Sequence, residues 1–139
     1  MPKNRAVISK KNPYWISKHR YYEICHFCFQ YQEWRDEYNT LSSGGVKGVD
    51  YDKPPADPNA IGDSTANIAT RMAYLRSKME LVENTAKEAD PVIAKYLLRG
   101  VTMEDATFNY LKRIMNMPCE RDMYYDRRRK FYWLMSKKL

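Results

Sequence analysis

Glycine, cysteine and long apolar runs are all scarce in this chain of 139 residues. Five glycines are too few for a turn-rich all-β fold, and they form no glycine-rich phosphate loop. Three cysteines, an odd number, do not make a disulfide framework. No apolar run approaches the roughly 20 residues of a membrane span, and the first residues lack the apolar segment of a secretory signal. We therefore expect a reduced, cytoplasmic protein that does not enter a membrane.

Charge and tyrosine are abundant by contrast. The chain has 24 Lys+Arg against 17 Asp+Glu, a net charge of +7, and 12 of its aromatic residues are tyrosine. Residues 1–20 hold six bases and no acid, residues 112–139 hold nine bases and three acids, and residues 21–111 hold nine bases and fourteen acids. The two basic ends on either side of an acidic middle predict that a polyanionic partner binds to defined surfaces of the protein. A generic soluble basic protein is the alternative.

Hydrophobic periodicity predicts an all-α fold, because there is no alternating β-branched run and no Asn-Gly hairpin. We expect residues 1–16 to be a basic arm and residues 17–41 to form one helix or two, with Ser17 as N-cap. Residues 42–62, rich in Gly and Pro, predict a flexible linker. Residues 63–139 then predict a helical domain.

The domain starts with a long helix over residues 64–89. Its apolar residues recur at spacings of four and three, which is a heptad seam. They are Ile68, Met72, Leu75, Met79, Val82, Ala86 and Ala89. Such a seam is typical of a core helix and also of a coiled coil between two copies of a chain.

Capping residues predict the helices that follow. Asp90 reads as an N-cap with Pro91 at the first helical position, and Gly100 reads as the residue that closes that helix. Thr102 then predicts the N-cap of the next helix.

Residues 103–136 predict a helix-turn-helix, with a supporting helix over 103–115, a turn over 116–119 and a second helix over 120–136. In DNA readers of this type the second helix enters the major groove, and its first turns meet base edges. Arg can donate two bonds to guanine, and Arg and Tyr can both hold phosphates. At 100° per residue, we expect Tyr124, Arg127 and Phe131 on the packing face. The candidate DNA-binding residues are Arg121, Asp122, Tyr125, Arg128, Arg129, Lys130, Tyr132, Lys137 and Lys138, joined by Lys10 and Lys11 of the arm.

The region from residue 63 onward carries D-S-T-A-N-I-A-T-R, E-A-D-P and L-K-R-I-M-N-M-P-C-E-R-D-M-Y-Y-D-R-R-R-K-F-Y-W-L. It resembles phage and prophage late-gene transcriptional regulators of the RinA and ArpU type. Their C-terminal helix-turn-helix is similar to region four of sigma factors. The most specific piece is Y-Y-D-R-R-R-K-F, residues 124–131, where the family has a Tyr/Arg-rich recognition helix. The resemblance implies DNA binding more firmly than it implies activation.

Cys25 and Cys28, with His26 and His19 nearby, could suggest zinc. A closed zinc site needs four ligands. On a continuous helix Cys25 and Cys28 share a face, while His26 points elsewhere and His19 lies nearly two turns back. We therefore expect small buried thiols and no metal.

Catalytic patterns are equally weak. No carboxylate pair sits in a marked apolar pocket, and no triad or dinucleotide loop is present. A tyrosine nucleophile with arginine partners, as in recombinases, is conceivable at Tyr124 or Tyr125, but the chain is short for such an enzyme. We expect a protein with no catalytic activity and no cofactor.

The sequence thus predicts a sequence-specific binder of double-stranded DNA. We expect a phage transcriptional regulator, a homodimer in the host cytoplasm, with host RNA polymerase as a possible second partner. One alternative is a phage anti-defence protein that inhibits a host nuclease or protein–nucleic-acid complex. Another is a DNA-packaging protein like a small terminase subunit.

Overall fold

The computed structural model describes the backbone of residues 10–44 and 58–139 and the side chains of residues 10–44 and 65–139. Within these ranges the chain is helical and has no strand, which confirms the predicted all-α class. The helices are α1 (Lys18–Phe29), α2 (Tyr31–Ser42), α3 (Pro58–Ala89), α4 (Ala94–Thr102), α5 (Phe108–Arg113) and α6 (Arg121–Lys138). Most of the predicted arm and linker lies outside the described residues, but the predicted linker is wrong over 58–62, which are helical.

The N-terminal helical region is two helices that meet at Gln30. Ser17 caps α1 as predicted, since its side chain accepts a hydrogen bond from the backbone N–H of Arg20. Gln30 ends α1 by donating its backbone N–H to the carbonyl of Phe27 at 3.2 Å. α2 begins at the next residue, Tyr31, so a single residue separates the two helices.

The end of the predicted arm is packed against the protein. Tyr14 donates its backbone N–H to the side chain of Asn12 at 2.8 Å, and its ring lies 5.5 Å from that of Trp133 on α6. Ile16 is buried. The last residues of the predicted arm, 14–16, are therefore packed, since their aromatic and apolar side chains bury surface there.

The chain divides into two compact units, one of residues 1–32 with 81–139 and the other of residues 33–80. In the first unit α1, α4 and α6 pack on one another and α5 packs on α4. Its fully buried side chains include Ile24, Leu97, Phe131 and Met135. One apolar core therefore joins α1 and α4 to α6.

The second unit contains most of α2 and the first part of α3. Arg71 pairs with Glu37 through two hydrogen bonds of 2.6 and 2.8 Å. Trp34 is buried, and the ammonium group of Lys78 lies 5.2 Å from its ring centroid. Aliphatic stems and cations thus cover aromatic surface in this unit.

The seam of α3 is partly buried within the single chain. Leu75, Val82, Ala86 and Ala89 are at most 3% exposed, whereas Ile68, Met72 and Met79 are half-buried. These buried positions favour the core-helix interpretation for the second half of α3.

α4 begins and ends later than its capping residues predict. Asp90 accepts a hydrogen bond from the backbone N–H of Val92 at 2.9 Å and so closes a turn, and α4 starts only at Ala94. Gly100 lies inside α4, which continues to Thr102. The predictions that Asp90 caps α4 and that Gly100 closes it are therefore wrong.

Thr102 is also a residue of α4 and does not cap the next helix. It is buried, and its hydroxyl donates to the carbonyl of Leu98 at 2.6 Å. Thr107 caps α5 instead, accepting from the backbone N–H of Tyr110 at 3.2 Å. The supporting helix is consequently shorter than the predicted 103–115. The predicted turn over 116–119 is wrong as well, because the connection to α6 covers residues 114–120.

Lys112 on α5 holds the turn between α5 and α6. Its ammonium group donates to the carbonyls of Met117 and Cys119 at 3.3 and 3.1 Å and pairs with the Glu120 carboxylate at 3.2 Å. Asn116 has a φ of 57°, a left-handed conformation that asparagine tolerates. α6 begins at Arg121 with Glu120 as N-cap, within one residue of the predicted start.

Candidate nucleic-acid interface

The first turn of α6 faces solvent. Arg121, Asp122 and Met123 are exposed, while Tyr124 is 2% exposed and packs against the ring of Phe108 with centroids 5.8 Å apart. Burial raises the pKa of Tyr124 to about 12. One buried tyrosine thus anchors the start of α6 on α5 and leaves three neighbouring side chains outward.

The guanidinium of Arg121 lies over an aromatic ring. The carbon of its guanidinium lies 4.9 Å from the ring centroid of Phe108. Among the described residues no carboxylate lies within 4 Å of it. This contact restricts the planar guanidinium while leaving its donors free for a bidentate acceptor.

Beside Arg121 an open cavity of about 160 Å³ lies between the first turns of α5 and α6. The rings of Phe108 and Tyr125 lie 6.3 Å apart with an interplanar angle of 35°. The lining residues are Thr107, Phe108, Asn109, Arg121 and Tyr125. The sequence prediction included Arg121 and Tyr125 but missed Phe108 and Asn109 of α5 and its N-cap, Thr107. The sequence signal that could have indicated these residues is the pair of polar side chains, Thr107 and Asn109, on either side of the apolar Phe108.

Tyr132 lies on the packing face, so the prediction of an exposed Tyr132 is wrong. It is 4% exposed, and its ring meets that of Tyr21 edge-on at 5.0 Å. Burial raises its pKa well above the ordinary value for tyrosine. The buried positions of α6 are Tyr124, Phe131, Tyr132 and Met135. Tyr132 directly follows Phe131 on α6. The two side chains lie close enough around the helix for α1 to cover Tyr132 as well.

Arg128 also turns inward. Its guanidinium carbon lies 5.5 and 5.9 Å from the ring centroids of Tyr132 and Tyr125, and it donates to the Tyr21 hydroxyl at 3.3 Å. Its Nε is buried without a hydrogen-bond partner. The helical wheel places Arg128 on the flank of the reading face, and in the structure the tyrosines hold this candidate DNA-binding residue within their cluster.

The other predicted bases are spread over the first unit. Arg129 and Lys130 are half-buried, and Lys137 is exposed with its ammonium group 3.5 Å from the Trp133 centroid. Lys138 pairs with Glu88 at 2.8 Å. With 18 residues, α6 is about 27 Å long, so the bases at its two ends occupy separate places.

At the end of the predicted arm, Lys10 and Lys11 are exposed. The ammonium group of Lys10 lies 5.7 Å from the Trp15 ring centroid. Neither lysine is among the side chains that line the cavity between α5 and α6.

Cys25 and Cys28 are buried on α1 and form no disulfide bond. Burial, with a smaller effect of neighbouring Cys25, raises the pKa of Cys28. No three His, Cys, Asp or Glu side chains come together as a candidate metal site in the part of the chain that the structure describes. Among the same residues, no helix combines the length and apolarity of a membrane span.

Comparisons with protein-family models, curated proteins and solved structures found no match for this chain.

Proposed function

We propose that this protein binds double-stranded DNA in a sequence-specific manner, as a transcriptional regulator of phage type, with the first turns of α6 as its reading element. One observation carries the proposal. Arg121, exposed and lying over the Phe108 ring, stands in the first turn of a helix that follows a shorter helix and a connection of seven residues, 114–120. A guanidinium so placed can donate two bonds to O6 and N7 of a guanine in the major groove.

The surrounding chemistry supports contacts to bases and to phosphates. Asp122 is exposed beside Arg121 and can accept from a cytosine amino group. Arg113 on α5 is exposed and, among the described residues, has no carboxylate within 4 Å. Free cations near a reading element can each replace a counterion at a phosphate.

The Lys112 hydrogen bonds to the turn support the proposal in a second way. A reading helix must hold its side chains in a fixed geometry, since a shift of about 1 Å costs much of a directed hydrogen bond. Three acceptors on residues 117, 119 and 120 surround one ammonium group and fix where α6 starts. The exposed first turn is thus preorganised.

The test is selection of bound fragments from a phage genome, followed by titration of an enriched duplex with purified variants. Arg121→Ala should weaken binding about 10- to 100-fold and relax preference at one guanine. Arg35→Ala, which removes another exposed arginine on α2, is the control and should bind within about twofold of the wild type. Equal affinities of the Arg121→Ala variant and the wild type would exclude α6 as the reading element.

Salt dependence separates base contacts from phosphate contacts. Lys130→Ala should lower the slope of log affinity against log salt by about one while leaving sequence preference unchanged. Lys87→Ala removes an exposed lysine from α3 and should leave the slope as it is. A wild-type slope near zero would show that no phosphates are neutralised and would contradict DNA binding.

A further inference from the structure

We propose that the cavity between α5 and α6 receives the major-groove edge of a thymine. The inference rests on the proposed DNA binding and names the base that this part of the interface would select. It concerns the open space of about 160 Å³ beside Arg121, which the sequence-based site did not include.

The walls of the cavity combine aromatic surface with hydrogen-bond donors. Phe108 and Tyr125 supply two rings 6.3 Å apart, and Arg121 covers part of the Phe108 ring. The Asn109 amide and the Tyr125 hydroxyl can each donate and accept hydrogen bonds, and no carboxylate is among the lining residues. The Thr107 hydroxyl already accepts from the backbone of Tyr110 as the cap of α5.

Thymine matches this combination better than the other bases. Its major-groove edge shows a carbonyl acceptor, O4, directly beside the C5-methyl group. Adenine, cytosine and guanine present polar groups at this edge but no methyl group that could cover the aromatic surface. An aromatic wall next to a donor therefore accommodates both features of thymine at once.

Replacement of thymine by deoxyuridine tests the inference on the DNA side, since uracil lacks only the 5-methyl group. In the duplex enriched by selection, each thymine is replaced singly and titrated with the wild-type protein. We expect one position at which the change weakens binding about fourfold, the effect of one buried methyl-sized group. This measurement needs no protein variant and so does not depend on a variant folding.

Two variants locate the methyl group. Tyr125→Phe keeps the ring and should keep the deoxyuridine penalty at that position. Tyr125→Ala removes one wall and should reduce the penalty to less than twofold, because the methyl group is then no longer buried. Circular dichroism of both variants checks that their helices are retained.

The outcomes separate this inference from the proposed function. Duplex binding without a sensitive thymine, or with a penalty that Tyr125→Ala leaves intact, overturns the thymine assignment and leaves DNA binding in place. Failure of the wild-type protein to enrich or bind any duplex overturns both. A penalty that disappears only in Tyr125→Ala supports the assignment.

Discussion

The hydroxyl of Tyr124 occupies the place where a side chain at position 100 would begin. A Cβ atom on Gly100 would lie 2.2 Å from that hydroxyl and 3.3 Å from a methyl of Leu111. Tyr124 is almost fully buried, so its ring cannot swing away freely. The packing of α6 against α4 thus requires glycine at position 100, and this glycine lies inside α4 without ending the helix.

Gly100→Ala should destabilise the protein despite the better helix propensity of alanine. Alanine gains up to about 1 kcal/mol in a helix interior, whereas forced overpacking costs about 1–3 kcal/mol. We expect the free energy of unfolding to fall by about 1–2 kcal/mol net, measured by urea denaturation.

The Tyr124→Phe background supplies the control for that change. Without the hydroxyl, the nearest ring atom lies 3.4 Å from the new Cβ, an ordinary contact distance. The cost of Gly100→Ala should therefore shrink or change sign in this background. An identical cost in both backgrounds would assign the destabilisation to something other than the Tyr124 hydroxyl.

Residues of α6 also show where prediction from the sequence stops. A helical wheel placed Tyr124 and Phe131 on the buried face correctly, because their spacing of seven keeps them on one stripe. It could not show that Tyr21 of α1 would lie over Tyr132 and that Arg128 would join the tyrosines. That outcome depends on contacts between distant segments, which periodicity within one helix does not contain.

At the scale of helices, the sequence predicts the presence of each helix more accurately than it predicts the residues at which the helix begins and ends. α6 starts within one residue of its prediction, since the interruption that contains Pro118 is visible in the chain itself. The starts of α4 and α5 differ from the prediction because Asp90 closes a turn with Val92 before α4, and Thr102 donates back to the Leu98 carbonyl within α4. The aromatic cavity was likewise missed, because its walls come from two helices.

The turn between α5 and α6 depends on Lys112. Lys112→Met keeps the aliphatic stem but leaves two carbonyls and Glu120 without their donor. Loss of these bonds should lower the free energy of unfolding by about 1–2 kcal/mol and speed hydrogen exchange in the first turn of α6. The measurements are urea denaturation and amide exchange by mass spectrometry.

Lys95→Met is the matched variant for Lys112. Lys95 is exposed on α4, and its ammonium group lies 5.0 Å from the neighbouring Tyr96 ring. We expect its stability to stay within about 0.5 kcal/mol of the wild type. If both variants behaved alike, the hydrogen bonds of Lys112 would not hold the turn.

Across the whole molecule, the basic ends serve structure as well as surface charge. Arg20 donates to the carbonyls of Ser136 and Leu139 at the end of α6, and Arg127 pairs with Asp90 at 3.0 Å. Both bases lie in the regions that the sequence identified as strongly positive. Part of that charge therefore secures α6 within the first unit, and the exposed bases that remain are the ones available to a polyanion.

The fold should lose stability in alkali because of its buried tyrosines. Burial raises the pKa of Tyr124 to about 12, against about 10 for tyrosine in an unfolded chain. A group with a raised pKa contributes its full stability below pH 10, and that contribution is lost as the pH rises towards 12. Each such tyrosine lowers the free energy of unfolding by about 1.4 kcal/mol per pH unit in this window.

Denaturation in urea between pH 9 and pH 12 measures this loss, and two phenylalanine variants assign it. Tyr124→Phe should show a shallower decline above pH 10, because phenylalanine has no proton to release. Tyr74→Phe, at an exposed ring on α3, should follow the wild-type curve. If Tyr124→Phe declined as steeply as the wild type, another group would be responsible, and Tyr132, whose pKa burial also raises, would be the next to replace.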